Sequence, residues 1–303
     1  MKLVAEYVGI GHPDRLADAV VTEIVSRVIS RDSDALCGLE CSIFQNQVYI
    51  TGRIAAGRNK SVIDSIEIEK SVRTTYTKCG YYGIWHPTNE EIIVIQNIII
   101  EPLSNEERKL RNFSDDQSVV TGYAVNCKET NYFPIAHYVA LTLGQSFSEF
   151  SLQNSNKYGT DLKILVTINK DGNNISWNSL VINIRHIKGL PYEVIFNDVK
   201  HYLDRKLKQL FEDKLPGLAT IENKKIVLNY AGEFYNGGPI GDNGLSGKKL
   251  VIDFYGPDVP IGGGAIYGKD PHKVDVCGAY IARLVALNTI KQTNCSSVFV
   301  KVE

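Results

Sequence analysis

Apolar residues recur at helical spacing between Pro13 and Ile29. Leu16, Ala17, Val20, Val21, Ile24, Val25 and Val28 form one stripe, which predicts an amphipathic helix. Pro13 suits a first turn, where a missing N–H costs nothing, so His12 sits at the entrance and Asp14 just inside. The period then changes. Glu40–Phe44, Gln47–Ala55 and Glu91–Ile100 are rich in β-branched or aromatic residues and are predicted strands, with Gln45-Asn46 turning between the first two. Ser61–Tyr76, Pro134–Leu143 and Glu193–Phe211 return to helical spacing. Lys163–Ile168 and Asn178–Ile184 predict a hairpin around Lys170-Asp171-Gly172-Asn173-Asn174. Lys225–Asn229 and Leu250–Phe254 read as strands, and the polar, aperiodic Asn105–Asp116 reads as a mobile loop. Asp270-Pro271 reads as the N-cap and first position of a last helix, with Val274, Cys277, Gly278, Ile281 and Val285 on one face. Strands separated by single helices predict an α+β fold, with helices packed on one face of mixed sheets.

Composition narrows the class. A chain of 303 residues fits about two domains. Its 33 basic and 34 acidic residues leave a net charge of −1, which argues against a nucleic-acid partner. An apolar fraction of 44% excludes global disorder. The most hydrophobic run, Ile92–Ile100, is broken by Gln96 and Asn97 and is too short to span a bilayer. The start, MKLVAEYVGIGHPD, holds no apolar signal core. Six scattered cysteines form no CxxC pair, which fits reduced thiols and excludes a zinc framework. A soluble cytoplasmic protein without a membrane partner is expected.

Glycine is concentrated: 11 of 25 lie between Gly232 and Gly268. There the backbone can turn sharply and approach a ligand. Lys248 and Lys249 follow Gly247, and Lys269 and Lys273 flank the expected helix start, where N–H groups also attract anions. Asp242, Asp253, Asp258, Asp270 and Asp275 are interleaved with these lysines. Such a mixture suits a polyphosphate bound with Mg²⁺, although ordinary surface ion pairs give the same pattern. No GxxxxGK[ST] motif is present, so this is not a P-loop.

The combination resembles a known family. GHPDR with Ala17-Asp18, the run GGPIGDNGLSGKKLVIDFYG, and GGGAIYGKDPHKVD followed by AYIARLVALN are similar to S-adenosylmethionine synthetases, from about Glu6 to Asn288. The resemblance implies that methionine sulfur attacks C5′ of ATP, releasing tripolyphosphate that is then cleaved to pyrophosphate and phosphate. A thioether has no proton to lose, so catalysis rests on in-line alignment and a preorganised cationic environment. The resemblance places His12 by the leaving O5′ and makes Asp14 and Asp275 the Mg²⁺ ligands. It sets Lys163, Lys248, Lys249 and Lys269 around the phosphates, with Lys273 completing the basic corner. Asp161 then holds the ribose, Phe234 lies beside adenine, and Asp242 lines the methionine pocket. Gln96 and Asp116 fall near methionine and its gating loop, Glu40 at a K⁺ site, and Glu6 at the edge of the active site.

The same resemblance implies a homodimer with active sites at the subunit interface and three interleaved subdomains. These are 1–10 plus 125–220, 11–124 plus 221–275, and a remnant of the third at 276–303, most of that domain being absent. Departures fall on the methionine side. Arg53 stands where the family has a glutamate facing the methionine amino group, and a cation there disfavours an ammonium. Lys248 replaces an arginine, losing a planar clamp. Phe113-Ser114-Asp115-Asp116-Gln117-Ser118 replaces a glycine-rich loop. The alternatives are therefore an enzyme adenosylating a different thioether, a tripolyphosphatase, or a non-catalytic ATP-binding homologue.

Overall fold

Long-range strand pairing, not neighbouring hairpins alone, builds the sheets. The computed structural model describes residues 1–57, 67–113 and 116–303. Among these, the first sheet runs in the order β1 (Lys2–Val8), β6 (Tyr158–Asp171), β7 (Asn174–His186) and β8 (Ile226–Leu228). The second runs β4 (Ile93–Glu101), β3 (Gln47–Ala55), β2 (Leu36–Phe44) and β9 (Gly244–Leu245). The third pairs β5 (Val120–Val125) with β10 (Ser297–Val302).

Helices cover one face of each sheet. Helix α1 (Pro13–Ile29) and α2 (Ile68–Lys78) back the second sheet, where Leu16, Val20 and Ile24 pack with Ile43, Ile50 and Ile54. Each such side chain contributes roughly 1.5–3 kcal/mol when fully buried. Helices α4 (Ile135–Gln153) and α5 (Tyr192–Phe211) bury Leu143, Phe147, Leu203 and Phe211 against the first sheet. Helix α7 (Val274–Gln292) sets Ala286 and Ile290 on Ala124 of the third. Two short helices, α3 (Asn105–Leu110) and α6 (Leu250–Asp253), complete the set used below.

The α+β architecture agrees with the sequence; several elements do not. Residues 105–110 form a helix where a loop was expected, because Ser104 and Glu107 make a reciprocal capping box. The apolar run 250–254 is helical, not extended; periodicity cannot separate the two in so short a run. The last helix starts at Val274 with Lys273 as N-cap, since Asp270 is fully buried and accepts N–H bonds from Cys37 and His272. The first part of the expected helix at 61–76 lies outside the described residues. Strand β8 joins the first sheet and β5 the third, whereas the sequence had grouped 221–275 and 11–124 with the second subdomain. Among the described residues no helix is long and apolar enough to cross a membrane.

Alternation gives the second sheet two unlike faces. Cys37, Leu39, Cys41 and Ile43 point into the core, and Glu40, Ser42 and Phe44 point away. This outer face is largely apolar, with Phe44, Tyr49, Ile93, Ile95 and Ile99 exposed.

Candidate active site

His12 ends a tight glycine-rich entry to α1. The N–H groups of Gly9 and Gly11 donate to Leu162 and Thr160 of β6, and a Cβ on Gly11 would collide with Thr160. Nothing larger lets the backbone lie so close. His12 is the N-cap of α1, its Nδ1 accepting the Asp14 N–H at 3.2 Å. That bond fixes the tautomer and leaves Nε2–H as the donor. Burial, then the charge of Lys163, lowers its pKa to about 4, so the ring is neutral at pH 7.

Asp14 is 1% exposed yet ionised. Burial alone would raise its pKa, but the Lys249 ammonium and the Leu245 N–H at 2.9 Å outweigh it and hold the carboxyl below its usual range. Lys249 is paired with Asp14 directly, and Lys248 lies 3.7 Å from it. Strand β9 makes this possible by bonding to Ser42 and Ile43 of β2, which brings the 244–249 segment over the helix entrance.

Asp161 and Lys163 share the outer face of β6, away from the core residues Leu162 and Ile164. Burial pushes the Asp161 carboxyl up to about 6, opposed by the Gly238 N–H and by Lys163. Its Oδ2 accepts that N–H at 2.7 Å, while the buried Oδ1 has no hydrogen-bond partner among the described residues. The conformation at Gly238, with φ +67°, is one that glycine adopts freely. His186 accepts the Phe234 N–H at 3.0 Å and pins the 234–238 loop to the end of β7. Arg185 bonds the Tyr235 carbonyl and stacks over Trp85, 5.1 Å from the ring centre. An isolated arginine in a strand carries no local signal, so the sequence missed it. Asp242 is exposed, but its charge acts on His12, which ties that loop to the same group.

A second group forms elsewhere. Lys269 pairs with Asp275, whose other oxygen accepts the Ser118 hydroxyl at 2.6 Å. Burial opposes ionisation of Asp275, yet Lys269 and Ser118 keep its carboxyl below the ordinary range. Asp116 lies two residues before Ser118, and Lys273 caps the helix that carries Asp275. Ser118 was not singled out from sequence; its partner is 157 residues away.

The spacing of the two groups can be read along β2. Gly244 pairs with Ile43 and Lys269 with Gly38, on the same edge. Between them Ser246 bonds Cys41 and Gly268 bonds Leu39, so the segments leading to Lys248 and to Lys269 meet β2 only two residues, ~7 Å, apart. The Asp14 group and the Asp275 group therefore border the same edge of β2.

Arg53 pairs with Gly38 across β2–β3, so it lies at the Lys269 end. It is not the lone cation expected. Its guanidinium bonds Glu101 and Glu107, each at 2.6 Å, so the trio carries net charge −1. The Ser104 N–H and then Arg53 bring the Glu107 carboxyl down to about 2. Gln96 does not join this group. It pairs with Ile50, on the helix-covered face, opposite to Arg53 and Glu40. Glu40 is exposed beside Thr51, and Glu6 is exposed on the first sheet opposite Leu165.

Each acidic candidate for Mg²⁺ is clasped by an ammonium, a cation where a metal would sit. Among the described residues no three His, Cys, Asp or Glu side chains form a ready cage. That still fits Mg²⁺, which is commonly held by one or two carboxylates with phosphate oxygens and water.

Sequence comparison gives these observations a context. The model of the S-adenosylmethionine synthetase N-terminal domain matches residues 1–101, and that of the C-terminal domain matches 236–303. An S-adenosylmethionine synthase of Zymomonas mobilis is 31% identical over 293 residues, 94% of this chain and 73% of its own length. A solved structure described as an unusual S-adenosylmethionine synthetase from Campylobacter jejuni superposes with a TM-score of 0.84. It is 24% identical, and the match covers all of this chain and 77% of that one, a likeness of fold.

Proposed function

Because the chain belongs to the S-adenosylmethionine synthetase family, a family of transferases, we propose that it adenosylates methionine with ATP. The sulfur lone pair forms the S–C5′ bond while the C5′–O5′ bond breaks, its electron pair leaving on O5′ of tripolyphosphate. The product sulfonium keeps the positive charge, and water then splits the tripolyphosphate into pyrophosphate and phosphate.

The convergence of His12, Lys248 and Lys249 on the buried Asp14 carries this reading. Neutral His12 offers Nε2–H to the departing O5′, and Lys163, Lys248 and Lys249 neutralise the polyphosphate. The unpartnered Oδ1 of Asp161 suits a ribose hydroxyl, with the Phe234 loop beside it for the base. Mg²⁺ bound by Asp14 and Asp275 would offset phosphate charge once the lysines turn to the nucleotide. Glu40 alone, exposed on an open face, does not form a potassium cage, and no step here runs through K⁺.

Two chains complete the site in this proposal. An isologous pairing brings the Asp14 group of one chain to the Asp275 group of another. The exposed apolar face of the second sheet supplies the surface for it. The acceptor is an amine-bearing thioether, because Glu101 and Glu107 leave the Arg53 site with net negative charge. Changing Arg53 to Glu would add a third carboxylate there and is not expected to aid methionine use.

With ATP, Mg²⁺, K⁺ and methionine, the purified protein is expected to yield S-adenosylmethionine and phosphate species by mass spectrometry. Product only from a deaminated thioether would move the acceptor away from methionine. Nucleotide binding without turnover on any thioether would reduce the chain to a binding homologue.

A further inference from the structure

Behind the Asp14 group lies a buried ionic cluster that the chemistry above leaves unused. Arg15 and Asp18 follow Asp14 on the same helix, and both are largely hidden. Arg15 pairs with Asp253 on α6 and reaches Asp18 at 3.3 Å. Asp18 accepts the Gly247 N–H through Oδ1 at 2.7 Å, directly before Lys248 and Lys249. The Tyr267 hydroxyl donates to Asp253 at 3.2 Å, two residues before Lys269. One cluster thus binds three pieces of chain: the start of α1, the 247–253 segment and the turn leading to Lys269.

The geometry points to Asp18 as a positioning residue that, through Gly247 and Arg15, holds Lys248 and Lys249 in register with Asp14. The inference rests on the adenosyl-transfer reading, since it gives these lysines their task. An ammonium displaced by about 1 Å loses roughly 10²-fold in rate, because the charge it meets appears only in the transition state. Ground-state contacts with ATP, spread over several lysines, change less.

Asp18 also has the chemistry of a switch within this frame. Burial pushes its carboxyl up to about 7, opposed by the Gly247 N–H and by Arg15. The titratable and charged groups facing it are Arg15 on its own helix, Asp253 on α6, Tyr267, and the Cys41 thiol on β2; Tyr7 of β1 lies beside Arg15. When protonated, Asp18 points a hydroxyl donor at a guanidinium that can only donate. Ionisation removes that conflict and strengthens both bonds. Rising pH through about 7 therefore tightens the lysine segment, and turnover should climb with it.

Steady-state kinetics of the full chain across pH 6–8, with Asp18→Ala and the isosteric Asp18→Asn, test this. Asp18→Ala is expected to lower kcat about 100-fold while the KM for ATP moves less than about threefold. Asp18→Asn keeps an acceptor for Gly247 and should recover about tenfold of that loss, but without the wild-type rise through neutral pH. Circular dichroism establishes which variants fold, and the Asn variant carries the test if the Ala variant does not. An Asp18→Asn pH profile that overlays the wild type, or an Ala variant with wild-type kcat, overturns the inference alone. A wild-type chain that transfers adenosyl to no thioether removes the reading beneath it, and this inference falls too.

Discussion

Lys249→Ala should lower kcat/KM for adenosyl transfer by about 10²–10³-fold, the usual cost of deleting one preorganised donor to developing charge. Two effects combine in that figure. The departing polyphosphate loses an ammonium, and Asp14 loses the partner that keeps it ionised. With 1% of Asp14 exposed, burial is the largest influence on its carboxyl, and the Leu245 N–H and Lys248 remain to oppose it. Its pKa should therefore rise, and a protonated Asp14 neither holds a divalent cation nor attracts the remaining lysine. The acid limb of the pH–rate profile should move to higher pH in the variant. Lys249→Arg restores the charge but not the compact shape of an ammonium, so partial recovery is expected. Rates within tenfold of wild type at every pH would remove Lys249 from the path of the charge.

Arg111→Met should produce the largest loss of stability among the sites described. Asp270 is 0% exposed and pairs with Arg111, which also donates to the Ala35 carbonyl at 3.2 Å. Removing one partner of a buried pair costs about 3–5 kcal/mol. The N–H groups of Cys37 and His272 stay on Asp270, which places the loss near the lower end. For a chain of this size that corresponds to a fall of roughly 5 °C in Tm. The anchoring of α3 should suffer as well, because Arg111 follows it directly, while Arg108 still holds Asp32 and Asp34 and Arg53 holds Glu107. Thermal unfolding followed by circular dichroism checks this; a shift under about 2 °C would mean that the pair adds little.

The sequence revealed α1 because a helix buried on one side repeats its apolar residues at the helical period, and Leu16 to Val28 do so without interruption. Strand β1 escaped notice because only Ala5, Tyr7 and Val8 of its seven residues are buried, too short a pattern to separate from an entry loop. The S-x-x-E signal at Ser104–Glu107 was present but masked by the charge around it. Individual site residues were legible where a glycine-rich motif carried them. Their partnerships were not, because Asp14 meets Lys249 across 235 positions and Arg53 meets Glu101 and Glu107 across 48 and 54. Arg53 consequently read as a bare cation, and Gln96 as a neighbour of the methionine site, until strand register set Gln96 and Arg53 on opposite faces.

The outer face of the second sheet has one more consequence. Phe44, Ile93 and Ile99 are each more than half exposed on it. If a twin copy covers them, dilution strips that cover away, and the folded chain becomes easier to melt as it becomes scarcer. Its resistance to heat is then a property of how crowded the solution is with its own kind, and a freshly made, solitary copy is the most vulnerable form.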